Sequence, residues 1–273
     1  MVKLHPQLKA QFKAALSNYH KTLRSRFLRR EIDFIDLTVA SFQNLNFFAG
    51  NQNLKTRSKR IHLTPQVRFC RYGFLFPNKS ITVEMGDLLF VFKHFLDGVL
   101  EGYRAVIVQA KYTADNKRTW KIDTNQFYLL TEWPSFRIVR PTFNRLYSLK
   151  PRAFSWAMYG FVGPNAANYP IYYSSERMLR QIVSIPKTNP WNFDVQPLSG
   201  WDSSTSFFSK FIQGFAGENL LSNPAHRALV NDLYIVAGWK PDPPEEPRWE
   251  NMNAEKKGFG IVEFVVASRE REE

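Results

Sequence analysis

The chain has 273 residues, of which 44% are hydrophobic and 15% aromatic, enough to bury a sizeable core in one large domain or two small ones. Its net charge of +13 is concentrated in residues 1–80, which hold 15 Lys and Arg against 3 Asp and Glu. The single cysteine, Cys70, excludes an intramolecular disulfide framework, and we find neither a signal peptide nor a membrane-spanning run, so we expect a cytoplasmic protein without a membrane partner.

The N-terminal segment has the spacing of an amphipathic helix. Apolar side chains recur every three or four residues, at Leu8, Phe12, Leu16, Tyr19, Leu23 and Phe27. This stripe predicts a helix that runs to about Arg30 and packs on a sheet, which we favour over a helix lying on a membrane. Residues 31–48 are predicted to continue as a second helix or a helix–strand junction, and residues 50–60 as a polar, basic loop.

The next stretch alternates apolar runs with turn residues, which predicts neighbouring strands. Residues 67–76 form the first strand and residues 77–80 a turn. Asp87 directly precedes five apolar residues, which indicate a buried strand, and residues 105–113 form another. Between these two strands, residues 93–104 contain two glycines and fit a connection between antiparallel neighbours.

The C-terminal half is predicted to mix short strands and helices. In chain order we expect a helix over residues 125–136 that Pro134 stops, strand pieces such as residues 152–163, helices over residues 205–221 and 223–238, a Pro-rich flexible loop over residues 240–258, and an edge strand over residues 259–268. Thr205 or Ser206 is expected to cap one long helix, and Asn223 or Pro224 to begin the other. This order argues for one α/β or α+β domain.

Polar side chains on two of the predicted strands are placed to converge. Asp87 begins one strand, and Gln109 and Lys111, two residues apart on the next, face the same way, while Ala110 points to the opposite face. A carboxylate such as Asp87 supplies an oxygen ligand to a hard divalent cation. A lysine beside that cation orients a water nucleophile and stabilises charge developing on a phosphate. The arrangement is suited to phosphodiester cleavage.

This pattern resembles the PD-(D/E)xK nuclease superfamily, in the QxK variant of Mrr-type restriction endonucleases, over roughly residues 84–111. The resemblance implies a restriction-endonuclease-like α/β core with a central mixed β-sheet flanked by helices. It further implies Asp87 as a metal ligand, Gln109 as the middle position, Lys111 as the catalytic lysine, and the Ala110 carbonyl as a further ligand to Mg²⁺ or Mn²⁺. Many members use a glutamate on the first core helix, for which Glu31 is the candidate.

Gln109 is also a candidate metal ligand through its amide oxygen, but this neutral group does not offset the charge of the cation as a carboxylate would. Glu84 lies three residues before Asp87 across Gly86, and a bend at the glycine allows both carboxylates to approach one cation. Ordinary structural interpretations stay open: Asp87 as a turn residue, Glu84 as an exposed strand residue, and Lys111 as a strand-end cation that reaches solvent.

The basic first third points to a polyanionic partner, although a solvated basic face also accounts for it. We expect nucleic acid, specifically double-stranded DNA, bound through the polar, basic segment. The candidate contact residues are Lys55, Arg57, Lys59, Arg60 and His62. The leading hypothesis is therefore a metal-dependent endonuclease of restriction or antiviral defence, as a possible homodimer. Alternatives are a nuclease-like fold that binds nucleic acid without cutting it, and a structural protein whose aromatic surface docks another subunit.

The predicted domain has five parts. They are a basic helical part (residues 1–60), a nuclease-like core (61–135), a mixed and helical part (136–239), the Pro-rich loop (240–258) and the terminal strand (259–268).

Other chemistries find no support, because the sequence has no Walker A or G-x-G-x-x-G motif, no zinc spacing among its His and Cys, and no G-x-S-x-G nucleophile elbow.

Overall fold

The structure, a computed structural model, describes residues 2–269 except for 27, 62–64, 74–75, 115–118, 141–142, 150–155, 164–169, 183–184, 195–201 and 240–258. The helices are α1 (Pro6–Ser25), α2 (Glu31–Ser41), α3 (Thr124–Glu132), α4 (Ser175–Gln181), α5 (Ser204–Phe211) and α6 (Pro224–Val236). The strands are β1 (Asn46–Ala49), β2 (Gln52–Arg60), β3 (Gln66–Gly73), β4 (Phe76–Glu84), β5 (Leu88–Leu96), β6 (Val99–Tyr112), β7 (Thr119–Ile122), β8 (Phe136–Ile138), β9 (Ala157–Val162), β10 (Ile171–Ser174), β11 (Trp191–Asp194), β12 (Asp202–Ser203), β13 (Glu218–Asn219) and β14 (Gly260–Ser268).

A mixed sheet forms the centre of the fold. Within the described ranges its strand order is β1-β2-β14-β5-β6-β9-β10-β12, and β13 also pairs with β6. The pairs β14–β5 and β6–β9 are parallel, whereas β5–β6 and β14–β2 are antiparallel. Two smaller sheets, β4-β3-β8 and β11-β7, lie beside it. This confirms an α/β fold with a central mixed sheet flanked by helices.

Both faces of the central sheet are covered, which explains the continuous apolar sequence of β5. On β5, Leu88 and Phe90 belong to one core cluster, with side chains of α1, α2 and α5. Leu89 and Val91 alternate into a second cluster, with side chains of α3, α4, α6 and the smaller sheets. The N-terminal apolar stripe is therefore a docking face, as predicted, although α1 ends at Ser25 rather than near Arg30.

The prediction of a basic loop over residues 50–60 is wrong, because this segment contains the interior strand β2. Its buried side chains alternate but are mostly polar, so hydrophobicity gives no strand signal. Thr56 donates to the Phe42 carbonyl at 2.6 Å, and Ser58 donates to the Val39 carbonyl at 2.6 Å. These bonds compensate for burying the hydroxyl groups under α2.

The prediction of an edge position for the terminal strand is also wrong, because β14 lies between β2 and β5. A Cβ atom at Gly260 would lie 2.7 Å from a Val39 methyl carbon and 2.8 Å from a Leu88 methyl carbon, so close packing of α2 requires glycine there.

The predicted turn over residues 77–80 is part of β4, and most of residues 93–104 belongs to the β5–β6 hairpin, which turns at Asp97 and Gly98.

The remaining elements agree with expectation more closely. Helix α6 and strand β9 lie within their predicted ranges, α3 begins one residue before its predicted range and ends before Pro134, and Asn223 precedes α6. Helix α5 ends at Phe211, and its cap is Ser203 rather than Thr205 or Ser206. The predicted Pro-rich loop over residues 240–258 lies outside the described residues.

Candidate functional site

Asp87 is held rigidly where β5 begins, at the centre of the sheet. Its backbone N–H donates to the Val108 carbonyl at 2.9 Å, and its own carbonyl accepts from the Gly260 N–H at 2.8 Å. A Cβ atom at the preceding Gly86 would lie 2.5 Å from a methyl carbon of Ile107. The glycine therefore allows the chain to approach β6 closely. This close packing explains the glycine in addition to any preference for a turn.

The predicted meeting of Asp87 and Gln109 occurs. Asp87 Oδ2 accepts from Gln109 Nε2 and, at 2.8 Å, from the Ala110 backbone N–H. Gln109 Nε2 also donates to the Ala110 carbonyl at 3.2 Å. The nitrogen of Gln109, not its oxygen, thus faces Asp87, so Gln109 supports the carboxylate by donation in this conformation.

Gln126 completes this network and was missed by the sequence analysis. Asp123 caps α3 by accepting from the Gln126 N–H at 2.8 Å, which places Gln126 in the first turn. The Gln126 amide nitrogen donates to Gln109 Oε1 and, at 3.2 Å, to the Glu84 carbonyl. Gln126 is buried together with most of α3, and a glutamine among these buried positions is the signal that the sequence offered.

Two backbone carbonyls determine the orientation of both amides. The Glu84 carbonyl only accepts, so it requires the nitrogen of Gln126, and that nitrogen then meets the oxygen of Gln109. The Ala110 carbonyl likewise requires the nitrogen of Gln109. Because the two requirements agree, the chain from Gln126 through Gln109 to Asp87 has one satisfied orientation.

We expect Gln126→Met to destabilise the protein by about 1–3 kcal/mol, because it leaves the Glu84 carbonyl and Gln109 oxygen without their donor. Chemical denaturation measures this loss, with the less buried neighbour Asn125→Met as the control. A loss no larger than that of the control would show that the amide chain contributes little to the structure around Asp87.

Lys111 lies beside Glu31, the candidate from the first core helix. The Lys111 ammonium is 3.5 Å from Glu31 Oε1, which also accepts from the Tyr112 N–H at 3.4 Å. Glu31 is the first residue of α2, where the helix dipole favours a carboxylate. Residues distant in sequence, on α2 and β6, therefore meet at the end of β6 that adjoins Asp87.

The charged groups of this region interact as one cluster. Burial raises the pKa of Asp87 to about 7, with Glu31 and Glu84 adding to the rise, and Lys111 and the Ala110 N–H opposing it. Glu84 is an exposed residue, but partial burial of its carboxyl group raises its pKa as well, and Glu31 adds to this while Lys111 opposes it. Three carboxylates thus repel one another around one lysine, which is an arrangement that a cation stabilises.

Within the described part of the chain, no three His, Cys, Asp or Glu side chains stand close enough together to form a metal cage. Mg²⁺ does not require one, since it uses one or two carboxylates, retains several waters and takes further oxygens from substrate phosphates. Asp87, with its raised pKa, and its acidic neighbours fit such an ion. Gln109 does not fit as a ligand in the observed orientation, because its oxygen faces Gln126.

The predicted nucleic-acid contacts on β2 are placed differently from expectation. Arg57 Nε is 2.6 Å from the buried Glu263, and Arg60, only 3% exposed, is 2.8 Å from Asp36. Lys55 and Lys59 are half-buried, and His62 lies outside the described residues. Arg57 therefore balances the buried Glu263 and the buried Arg60 balances the exposed Asp36, so neither charge is presented to solvent as expected.

The chain matches no protein-family model, and neither characterised proteins nor solved structures show significant similarity to it. In the helices that the structure describes, none is both long and apolar enough to cross a membrane.

Proposed function

We propose that the protein is a metal-dependent nuclease that hydrolyses phosphodiester bonds, with DNA as the substrate. The observation that carries this proposal is the convergence of Asp87, Glu31 and Lys111 from three elements, with the pKa of Asp87 raised to about 7. Perturbed ionisable groups of this kind concentrate at functional sites. The alternation of β6, with Gln109 and Lys111 on the face opposite Ala110, supports the resemblance to the PD-(D/E)xK pattern and its restriction-endonuclease-like core.

Each residue has a distinct role in this proposal. Asp87 and the Ala110 carbonyl would hold Mg²⁺ or Mn²⁺, with Glu31 or Glu84 as the second carboxylate. A bound divalent ion lowers the pKa of its water and offsets phosphate charge. Lys111 orients the attacking water and stabilises the negative charge that develops on the phosphate oxygens. Gln109 holds Asp87 in place through its amide nitrogen.

The wider setting is part of the same proposal. A nuclease that cuts both strands of double-stranded DNA acts readily as a homodimer, and restriction or antiviral defence in the cytoplasm would use such an activity. The second candidate is a nuclease-like fold that binds nucleic acid without cutting it. It is favoured by the Gln109 amide nitrogen, which occupies the side of Asp87 Oδ2 where an acidic residue would add charge.

Cleavage should require Mg²⁺ or Mn²⁺ and should increase with pH up to about 7. A proton on Asp87 competes with the cation for the same carboxylate, so activity below this pKa falls by about tenfold per pH unit. The pH midpoint should shift downward as the Mg²⁺ concentration is raised. We would measure nicking and linearisation of plasmid DNA across pH 5–9 at several Mg²⁺ concentrations, with EDTA as the control. Nucleic-acid binding without cleavage under all of these conditions would favour the second candidate.

A further inference from the structure

We infer that the exposed face of the three-stranded sheet β4-β3-β8 binds the phosphates that flank the reacting one, through Arg68 and Arg137. This inference rests on the proposed function for the chemistry at Asp87 and Lys111. It assigns substrate binding to two arginines that the sequence analysis left without a role.

The three-stranded sheet turns one face to the core and the other to solvent. Side chains of its inner face, such as Val67 and Phe136, belong to the core cluster on the α3 side of the central sheet. The alternate positions point outward, and Arg68, Thr82 and Arg137 are all exposed. Because Arg68 pairs with Thr82 on β4 and with Arg137 on β8, these three residues form one row across the sheet, the arginine row.

The two arginines of the row lie directly opposite each other, an arrangement that costs stability when no anion is bound. Residues opposite one another in an antiparallel pair have Cβ atoms about 4.5–5.5 Å apart, where like charges repel. The ion pairs among the described residues involve other cations, and neither Arg68 nor Arg137 takes part in one. A phosphate bound between the two guanidinium groups would turn this repulsion into attraction.

Arg137 is held in place by a neutral partner. Its Nη1 donates to the backbone carbonyl of Asn144 at 3.1 Å and also to Asn144 Oδ1. Both acceptors are uncharged, so these bonds fix the guanidinium without cancelling its charge. Since both bonds come from Nη1, the N–H groups of Nε and Nη2 remain available for a phosphate. A donor that is already positioned loses less conformational freedom when the ligand binds.

The arginine row adjoins the candidate site along β4. Glu84 follows Thr82 by two residues, so its side chain emerges on the same face, about 7 Å further along the strand. The charges that affect the pKa of Glu84 are those of Lys111 and Glu31, so this carboxylate belongs to the candidate site. A DNA strand carries one phosphate per about 3.4 Å of helix axis. A strand whose reacting phosphate lies beside Lys111 therefore has phosphates a few nucleotides away within reach of the arginine row.

The composition of this face favours the sugar–phosphate backbone over a lipid surface. Every exposed side chain that the structure describes in β3, β4 and β8 is polar or charged. Elements that bind a membrane surface instead insert Trp, Phe or Leu side chains. The exposed Ser80 and Thr82 add hydroxyl groups, which are common donors to phosphate in protein–DNA contacts. The planar guanidinium of arginine binds phosphate oxygens in pairs.

The test compares two double variants that remove the same charge from opposite faces of the central sheet. Arg68→Gln with Arg137→Gln alters the arginine row. Lys9→Gln with Lys13→Gln alters exposed residues of α1, whose buried side chains belong to the other core cluster. Binding to a fluorescent 20-base-pair duplex is measured in EDTA, so that cleavage does not interfere. Thermal unfolding checks that both variants remain folded.

The arginine-row variant should bind at least about tenfold more weakly than wild type at 100 mM salt, and the slope of log Kd against log salt should fall by about 2. The lysine variant should change affinity by less than about twofold. Arg68→Lys with Arg137→Lys should restore most of the salt slope but only part of the affinity, because lysine does not bind phosphate oxygens in pairs. Equal losses in the two glutamine variants, or no loss at the arginine row, would overturn the assignment.

Stability distinguishes a binding role from a structural one. Arg68→Gln removes the repulsion from Arg137 and breaks no ion pair of the described residues, so the melting temperature should stay the same or rise while duplex binding weakens. A lower melting temperature with unchanged binding would assign Arg68 to the fold and overturn the inference.

The outcomes separate this inference from the proposed function. Weaker duplex binding by the arginine-row variant of a protein that never cleaves supports the surface and removes the nuclease. Metal-dependent cleavage with unchanged binding and cleavage in that variant supports the nuclease and removes the surface. Vesicles containing phosphatidylserine provide the remaining comparison: binding to them that exceeds duplex binding and is lost in the arginine-row variant would replace nucleic acid by a membrane as the partner.

Discussion

Asp87→Asn is expected to abolish cleavage and, at the same time, to raise the stability of the protein above neutral pH. The substitution keeps the shape of the side chain, and its oxygen still accepts from Gln109 and from the Ala110 N–H. It removes the charge that holds the cation, so cleavage should fall by at least about 100-fold.

The sign of the stability change follows from the raised pKa of Asp87. The ordinary pKa of this carboxyl is 3.8, and the folded value is about 7. Between these values the folded protein holds a proton that the unfolded chain lacks, so ionised Asp87 weakens folding progressively from pH 4 to 7 and fully above pH 7. At pH 8 the variant should therefore be more stable by about 1 kcal/mol or more, and the difference should shrink toward pH 4.

Two measurements test this prediction together. Plasmid cleavage is compared with wild type at saturating Mg²⁺, and thermal unfolding is recorded at pH 5 and pH 8 for both proteins. Lys111→Met should also lose cleavage by about 100-fold, whereas the exposed Lys121→Met should not. Wild-type cleavage by Asp87→Asn would remove Asp87 from the site, and equal unfolding curves at pH 8 would contradict the assigned cost of its burial.

The sequence predicted the strands of the site because their pattern depends on local chemistry. The apolar run after Asp87 indicated β5, and the two-residue period of β6 placed Gln109 and Lys111 on one face. Glu31 was available only through the family resemblance, since its position beside Lys111 depends on how α2 crosses the sheet. Gln126 lies 17 residues from Gln109 in sequence, on a helix whose docking no local pattern determines.

Buried polar residues account for the main errors. Hydrophobic periodicity assumes that polar side chains face water, but β2 buries Thr56, Ser58 and Arg60 beneath α2. Arg57 was assigned to phosphate because its partner, Glu263, is 206 residues away in sequence. Charge counting alone cannot distinguish a cation that balances a carboxylate of the same chain from one that is presented to a ligand.

The ion cluster around Glu263 lies inside the fold, so removing one of its members should destabilise the protein strongly. Glu263 is fully buried on β14, where its carboxylate accepts from Arg57 Nε and the Tyr234 hydroxyl at 2.6 Å each, and from Lys93 Nζ. Burial alone raises the pKa of Glu263, but Lys93 and Arg57 outweigh it and lower the pKa to about 2. Lys93 is only 1% exposed, and this carboxylate is a counter-ion for it inside the fold, while the Tyr234 ring lies 5.2 Å from its ammonium.

Glu263→Gln should therefore destabilise the protein by about 3–5 kcal/mol at pH 7, because it leaves Lys93 buried without its counter-ion. The contribution of Glu263 is complete above its ordinary pKa of 4.5 and is lost as the pH falls through about 2, so the two proteins should converge in acid. Chemical denaturation at pH 7 and at pH 3 measures both effects. The matched control is Glu101→Gln, an exposed carboxylate on β6, which should change stability by less than about 0.5 kcal/mol.

A double variant separates the lost pairing from a general distortion of β14. Glu263→Leu combined with Lys93→Met replaces both buried charges by apolar groups and leaves Arg57, at 20% exposure and stacked 4.3 Å over Trp239, a route to solvent. Most of the lost stability should return, because the unpaired ammonium is gone. Failure to recover would mean that packing around β14, rather than charge, sets the cost. Because the Gly260 N–H bonds to the Asp87 carbonyl, such a distortion should also reach the candidate site and lower its activity, whereas a loss confined to charge should not.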